Sequence, residues 1–504
     1  MSLWRRKSIQ ALLGQAESTE KGLQRTLGPW NLIALGIGAI IGAGLFVRTA
    51  AASGEAAGAA VTLSFIIAAI GCAFAGLCYA EFASMIPIAG SAYAYAYVTM
   101  GEFVAWTIGW ALVLEYALGA ATVANAWTEY LNRMLETAFH WRVPYEWSHT
   151  PMEHLMDPQG KVLTTGIVNL PAIGILLALT ALLVKGTKEA AWVNLIIVFL
   201  KVAIVIAFIA VGWQFVNPAN HTPFMIPENT PNHLGTFEHG FGGVMRGAAI
   251  VFFAFIGFDA VSTAAQEAKR PERTMPIGIL GSLAICTVLY ILFSYVLTGV
   301  ANWSDFDPKN PAAKGGEASV AYAIATYMKG YGWLANSVTL AILAGFSSVI
   351  LVMLLGQSRV FYSMANDGLL PKVFSELHPR FRTPWKSNIL LFFFVAAFAG
   401  FVPEHKTGSL TSIGTLFAFV IVCVGVIILR KSHPDLKRPF RTPWVPVVPI
   451  LGILVCVGMI VSLDSFTQIV AAAWMLFGFV IYFGYSRKHS KHKHVEDSMT
   501  QIKL

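Results

Sequence analysis

Three ionisable residues lie within long apolar stretches of this 504-residue chain. Glu115 stands midway along GWALVLEYALGAA, Lys201 lies near the centre of AWVNLIIVFLKVAIVIAFIAV, and Asp259 follows a glycine in FFAFIGFDAV. A charge at the centre of a bilayer costs about 3 kcal/mol or more unless it faces a polar interior. Each residue could therefore belong to a structural ion pair or to a proton relay, since a desolvated lysine can titrate near neutral pH. If the three groups interact, they titrate as one coupled unit.

Glycines crowd the first apolar run of the chain. Gly36, Gly38, Gly42 and Gly44 lie in GIGAIIGAGLF, within a run from about Pro29 to Ala52 that is long enough to span a bilayer. Each glycine is about 1 kcal/mol less favourable than alanine in a helix, and irregular backbone persists at membrane depth only where it lines a cavity. The glycines could instead allow two helices to pack closely. The GxGxxG spacing does not indicate a dinucleotide loop, because it lies within a hydrophobic span.

The composition is that of a polytopic membrane protein. Hydrophobic residues make up 56% of the chain and charged residues 12%, whereas soluble domains carry about 25% charged residues. Apolar runs predict about twelve transmembrane helices, with a polar N-terminus and no cleavable signal peptide. The five cysteines all fall in apolar segments and are interpreted as core residues, so no metal site is predicted.

The distribution of basic residues predicts the orientation. Most of the 35 Lys and Arg residues fall on one side of the twelve spans, the side that also carries both termini. The positive-inside rule places that side in the cytoplasm. The protein is thus expected in the plasma or inner membrane, surrounded by the lipid bilayer. Its net charge of +8 follows from this topology, and no nucleic acid partner is expected.

The sixth span repeats the defect of the first. Gly257 and Asp259 interrupt it near its middle, and four unbroken spans separate the two interrupted ones. Such recurrence is typical of transporters built from two inverted five-helix repeats, whose broken helices meet at the midplane and bind the substrate. The predicted segments are a cytoplasmic tail at 1–28, a first repeat at 29–213, a second repeat at 243–430, two accessory helices at 446–485 and a cytoplasmic tail at 486–504.

Four motifs resemble the cationic amino acid transporter branch of the amino acid–polyamine–organocation (APC) superfamily. They are GIGAIIGAGLF (36–46), CYAEFASMIPIAGSAYAYAY (78–97), FFAFIGFDAVSTAAQEAKRPERTMPIGI (252–279) and GQSRVFYSMANDGLLP (356–371). The resemblance runs from about residue 23 to 488. It implies an all-α, leucine-transporter-type fold of ten core helices in a 5+5 inverted repeat, here followed by two extra helices. It also implies a transporter of free L-amino acids that needs no cofactor, and a small transmembrane accessory subunit is left open.

The resemblance implies a substrate site at the two breaks. Amides at the start of the outer half of the first helix would face the α-carboxylate. Carbonyls of the sixth helix would take the ammonium, and the Phe253 ring would close over the ligand unless it is simply a packed aromatic. Phe346 would shorten the side-chain pocket, so small or mid-sized neutral amino acids are expected alongside Arg and Lys. The implied binding residues are Ile40, Ile41, Gly42, Ala43, Gly44, Phe253, Ala254, Ile256 and Phe346.

The resemblance also concerns ion coupling. Lys201 matches a lysine that family members place where sodium-driven relatives hold Na⁺, which implies coupling to protons or no ion coupling. Proton coupling is assigned to Lys201, Glu115 and Asp259. Lys201 is the preferred switch, because its ammonium would compete for first-helix carbonyls and its neutral form would release them. Asp259 is expected to act mainly as an anchor for the unwound sixth helix. Arg48 departs from the family, which usually has an uncharged residue there.

The predicted function is import of L-amino acids by alternating access with protons. An exchanger without proton coupling is the alternative in the same class. An amino acid sensor is disfavoured because both tails are short. No nucleophile–base pair or metal cluster indicates an enzyme.

Overall fold

The computed structural model describes residues 6–7, 27–86, 91–156, 161–185, 190–227, 239–307, 319–381 and 383–491. Within these ranges the chain is mainly α-helical. Two short strands, β1 (His154–Met156) and β2 (Val162–Thr165), form an antiparallel pair in which His154 lies opposite Thr165. The helical content agrees with the predicted class.

The first half of the chain forms five membrane-type helices, the first of them interrupted. Helix α1 occupies Pro29–Ile40 and continues after a break as Ala43–Phe46 and Arg48–Ala52. A π turn (Ser53–Ala57) and a 3₁₀ turn (Gly58–Ala60) lead into the next helix. The following helices are α2 (Val61–Met85), α3 (Glu102–Val113 and Gly119–Phe139, joined by a π turn at Leu114–Leu118), α4 (Leu170–Lys185) and α5 (Ala190–Gly212).

The second half begins with another interrupted helix. Helix α6 starts as Gly240–Val251 and continues as two 3₁₀ segments, Phe252–Phe255 and Asp259–Glu267. The remaining helices are α7 (Pro271–Val300), α8 (Gly332–Asn366), α9 (Trp385–Phe401), α10 (Glu404–Ser432), α11 (Val447–Ser462) and α12 (Ser465–Ile481). Shorter helices occupy Ser91–Thr99, Tyr145–Ser148, Ser319–Tyr327 and Arg487–His489.

Eight helical stretches among the described residues are long and apolar enough to cross a membrane, from Arg48–Met85 to Ser465–His489. The remaining predicted spans coincide with four shorter apolar helices: Pro29–Ile40, Leu170–Lys185, Trp385–Phe401 and Val447–Ser462. The protein is therefore a helical, multi-span membrane protein.

The interrupted helices lie in the interior of the bundle. Helix α7 packs along α1 and α2, α8 packs along α3, and α10 packs along α11. An apolar core runs through these contacts and includes Leu32 of α1, Phe253 of α6 and Phe346 of α8. Both breaks are consequently shielded from the surface by complete helices.

Local chemistry explains where each break falls. In α1 the last helical hydrogen bond runs from the Ile41 N–H to the Ile37 carbonyl (2.9 Å), and Ile41 and Gly42 have extended, non-helical backbone. In α6 Ile256 is not helical, and Gly257 has a φ of +112°, which glycine adopts without the steric penalty of a Cβ atom. Beyond this point α6 forms a 3₁₀ helix, whereas the sequence predicted a helix interrupted only near its middle.

Candidate functional site

The breaks in α1 and α6 face each other at backbone contact. A Cβ atom added to Gly44 would lie 2.2 Å from the Cα of Ala254. On the other side, a Cβ added to Gly257 would lie 2.9 Å from the carbonyl carbon of Ala39. Each interrupted helix thus presents a glycine to the backbone of the other. The close packing that the sequence analysis left open as an alternative for Gly44 is observed, and it occurs between the two breaks themselves.

The predicted substrate-binding residues form one buried group. Phe253 is 4% exposed, and the other apolar members are at most 2% exposed: Ile40, Ile41, Ala43, Ala254, Ile256 and Phe346. Gly42 and Gly44 are buried as well. The structure therefore describes a state in which the region around both breaks is closed to solvent.

Aromatic and aliphatic side chains surround the break on the side of α8. The Phe346 ring centroid lies 5.6 Å from that of Tyr130 and 6.3 Å from that of Phe46. One turn further along α8, Val349 packs against the break, since a Cβ on Gly42 would lie 2.9 Å from its Cγ2. These contacts make this face of the site apolar.

Lys201 of α5 donates hydrogen bonds to two carbonyls of α1. Its Nζ lies 2.8 Å from the Gly38 oxygen and 2.9 Å from the Ile41 oxygen. In a continuous helix the Gly38 carbonyl would accept from the amide of Gly42, and the break removes that donor. The Lys201 ammonium, which is 1% exposed, supplies a replacement. Its aliphatic stem packs on Gly345 of α8, so it joins three helices.

Glu115 and Asp259 lie in a separate buried cluster between α3 and α6. The Tyr116 hydroxyl donates to Oδ2 of Asp259 at 2.8 Å, which ties the second 3₁₀ segment of α6 to the π turn of α3. Glu115 lies beside Asp259 and the Thr415 hydroxyl in this cluster. Lys201 faces the thiol of Cys286 instead of this pair. The three ionisable residues are thus divided between two sites, one with Lys201 and the other with Glu115 and Asp259.

Tyr290 of α7 connects the two broken helices and was missed by the sequence analysis. Its hydroxyl lies 3.0 Å from the Ile40 oxygen and 2.9 Å from the Ala254 oxygen. Its ring is held by Phe65 (5.5 Å between centroids) and Phe255 (5.3 Å). A tyrosine in an apolar helix resembles any core aromatic, so no sequence signal marks it out.

Arg48 connects the C-terminal part of α1 to α10. Its guanidinium lies 3.3 Å from Oε2 of Glu404 and donates to the Ser409 hydroxyl at 3.4 Å. The side chain is 1% exposed and packs over Gly408. The unusual arginine therefore points into the protein and closes the space between α1 and α10.

The N-terminal end of α1 and the C-terminal end of α6 are also joined. The Lys269 N–H donates to the Leu27 carbonyl at 2.8 Å, and Leu27 forms an isolated parallel bridge with Ala268. Nearby, Lys7 pairs with Asp367 at 2.5 Å, and the Tyr93 hydroxyl donates to the same carboxylate at 2.6 Å. These contacts join α1 to α6 and tie Lys7 to the residue that follows α8.

Two interrupted helices that meet at a buried backbone site, inside a bundle of membrane-length helices, define a membrane transporter and not an enzyme. The chain matches the amino acid permease family over residues 27–495 and belongs to that family, within the APC superfamily. The predicted superfamily is thereby confirmed, and its members are known for the leucine-transporter fold.

Named relatives cover nearly the whole chain. It is 43% identical to the branched-chain amino acid permease BcaP of Bacillus subtilis, over 97% of this chain and 99% of that protein. It is 40% identical to the methylthioribose transporter of the same organism, with the same coverage. It is 34% identical to human cationic amino acid transporter 4, over 82% of this chain and 61% of that longer protein. The relatives thus include the predicted cationic branch together with transporters of other substrates.

Proposed function

We propose that this permease imports neutral aliphatic amino acids across the plasma membrane by alternating access, together with protons. The observation that carries this proposal is the apolar face of the site, where Phe346 packs between Phe46 and Tyr130 and where Val349 contacts the break. A cationic side chain entering this face would lose its hydration without gaining a counter-ion. The similarity to a branched-chain amino acid permease supports the same substrate class.

The main-chain groups of the amino acid are assigned to the two breaks. The helical segment that begins at Ala43 leaves its first amides without partners inside the helix, and these amides would bind the α-carboxylate together with Gly42 and Gly44. Carbonyls of Phe253, Ala254 and Ile256, with those of Ile40 and Ile41, would accept from the α-ammonium. Phe253, in the 3₁₀ segment of α6, would cover the ligand.

The architecture proposed for this cycle is the 5+5 inverted repeat. Residues 29–213 and 243–430 form the two repeats, 446–485 form the accessory helices, and the tails at 1–28 and 486–504 lie in the cytoplasm. The interruption of α1 and α6, five helices apart, supports this assignment. The small accessory subunit stays a prediction, which co-purification from native membranes would test.

Proton coupling is assigned to the two buried charged sites. The charged Lys201 would hold the carbonyls of Gly38 and Ile41, and loss of its proton would release α1 at the break. Glu115 and Asp259 would share one proton, because two adjacent buried carboxyl groups cannot both be charged without a large energetic cost. The bonds from Lys201 and the position of Glu115 beside Asp259 support these roles.

Uptake of radiolabelled L-leucine into proteoliposomes tests the proposal. We expect accumulation that depends on an inward proton gradient and is inhibited by isoleucine and valine but not by arginine. Inhibition mainly by arginine would overturn the substrate class. Uptake only into vesicles preloaded with amino acid would identify an exchanger, and binding without uptake would favour the sensor.

Methylthioribose is a second candidate substrate, because a relative with 40% identity carries that name. This thiosugar has neither a carboxylate nor an ammonium group to occupy the main-chain groups at the breaks. Adding methylthioribose as a competitor in the leucine assay decides between the two substrates, since only a shared site gives mutual inhibition.

A further inference from the structure

We propose that Tyr290 is a positioning residue that makes the site selective for substrates with an α-ammonium group. The inference rests on the proposed function, because it assigns the carbonyls of Ile40 and Ala254 to the substrate ammonium. It adds a residue on α7, outside the breaks, that determines how those carbonyls are aimed.

The two carbonyls converge on one atom. The Tyr290 hydroxyl oxygen is 3.0 Å from the Ile40 oxygen and 2.9 Å from the Ala254 oxygen. Ile40 is the last residue of the inner segment of α1, and Ala254 lies in the 3₁₀ segment just before the bend at Gly257. Both oxygens therefore lie at helix interruptions, and α7 reaches both with one side chain.

The number of donors is smaller than the number of acceptors. A tyrosine hydroxyl has one proton, whereas each carbonyl oxygen has two lone pairs. The break separates the Ile40 carbonyl from the amide of Gly44, which would bond it in a continuous helix. Tyr290 can donate to only one of the two carbonyls at a time. Tyr290 thus holds the two carbonyls in place but cannot donate to both at once. An ammonium group supplies three N–H donors to them.

The position of the hydroxyl is fixed by packing. Phe65 of α2 and Phe255 of α6 contact the Tyr290 ring, and the side chain is fully buried. The hydroxyl therefore stays between the two helices, and it keeps their carbonyls turned toward a common point.

The test is Tyr290→Phe, which keeps the ring and removes the hydroxyl. Leucine uptake is measured with the purified full-length protein in proteoliposomes, and inhibition by 4-methylpentanoate, the des-amino analogue of leucine, is measured in parallel. We expect KM for leucine to rise about 5- to 10-fold, the effect of one hydrogen bond, with kcat within about two-fold. Inhibition by the des-amino acid should not change.

A control variant, Tyr327→Phe, removes a hydroxyl that donates to Asp305 at 2.6 Å at the surface, and it should keep the wild-type KM. Three results for Tyr290→Phe would overturn the inference. They are a fall in kcat with unchanged KM, no change in either constant, and an equal loss of affinity for leucine and its des-amino analogue. If the des-amino acid does not compete even with the wild type, the KM-against-kcat split decides alone.

The wild-type protein separates this inference from the proposed function. If it transports arginine instead of leucine, the proposed substrate class fails, and the same comparison is made with arginine, which also carries an α-ammonium. If it transports only methylthioribose, both proposals fail, because that substrate has no ammonium for the carbonyls to bind.

Discussion

Gly44 of α1 and Ala254 of α6 are in direct backbone contact, with room for a hydrogen atom and not for a methyl group. A Cβ on Gly44 would lie 2.2 Å from the Ala254 Cα and 2.6 Å from its nitrogen. Since the obstacle is backbone, it cannot rotate away as a flexible side chain would. The distance between the two breaks is therefore set by this glycine.

Replacing Gly44 with alanine should separate the breaks and disrupt the site. Overpacking a core costs about 1–3 kcal/mol, and here the strain falls on the groups assigned to the substrate. We expect leucine uptake to fall by more than about 10-fold. The matched control is Gly174→Ala in α4, where nothing lies within 4 Å of the added Cβ. Equal uptake by both variants would show that the contact is unimportant.

Lys201→Ala should remove the dependence of uptake on the proton gradient. The variant leaves the carbonyls of Gly38 and Ile41 without the ammonium that now bonds them. Accumulation of leucine should then be the same with and without an inward proton gradient, while exchange with preloaded leucine continues. Lys185→Ala, at the exposed end of α4, is the control. If Lys201→Ala still accumulates leucine with protons, the coupling role belongs to another group.

Glu115→Gln should reduce accumulation driven by the proton gradient but not exchange of leucine across the membrane. Glutamine preserves the size of the side chain but cannot exchange a proton with Asp259. We expect exchange to persist and gradient-driven accumulation to fall by about 10-fold or more, as for loss of a general acid–base group. Tyr116→Phe removes the bond to Asp259 but no ionisable carboxyl, so its effect should be smaller. The opposite order of these two effects would assign the cluster a purely structural role.

Phe346→Leu should change which amino acids compete with leucine for uptake. The smaller side chain leaves space between Phe46 and Tyr130, so phenylalanine and methionine should inhibit leucine uptake better than they do in the wild type. The cost in stability should stay below the roughly 3–5 kcal/mol of a Phe→Ala change in a core, which a thermal-shift measurement in detergent would confirm. An unchanged ranking of inhibitors would place the side-chain pocket elsewhere.

The Arg48–Glu404 pair can be tested by a double-mutant cycle. Arg48 is buried and Glu404 is partly buried, so removing Glu404 leaves a buried charge uncompensated, and the coupling energy should exceed about 1 kcal/mol. Arg48→Met and Glu404→Gln should each lower thermal stability, and the double variant should lose less than the sum. Strict additivity would mean that the two side chains do not stabilise each other.

The sequence was most informative where it breaks its own pattern. Glycines and charges within apolar spans violate helix and membrane preferences, and such violations mark functional positions. For this reason the sequence predicted the breaks near Gly42 and Gly257 and the buried position of Lys201. The sequence did not predict that Asp259–Glu267 of α6 forms a 3₁₀ helix, because its composition does not distinguish it from an α-helix.

Other parts of the site depend on contacts that sequence does not encode locally. The partner of Arg48 lies 356 residues away in α10, and no feature of either residue identifies the other. Tyr290 looks like a core aromatic until its hydroxyl is placed between two carbonyls. The substrate-binding residues and the domain limits stay predictions, since they rest on the family resemblance and on the geometry proposed for the ligand.

The hydrogen bond from Lys269 to Leu27 restricts how the bundle can open at this end. It joins the N-terminal end of α1 to the C-terminal end of α6 through backbone atoms, so the pairing does not depend on which side chains are present. A motion that swings α1 alone must break it, whereas a motion that carries both helices keeps it. Gly44 and Tyr290 join the same helices deeper in the protein. The two interrupted helices can therefore rotate together as one rigid body. Opening would then change the angle of this rigid body against α3 and α8 while the two breaks keep their spacing.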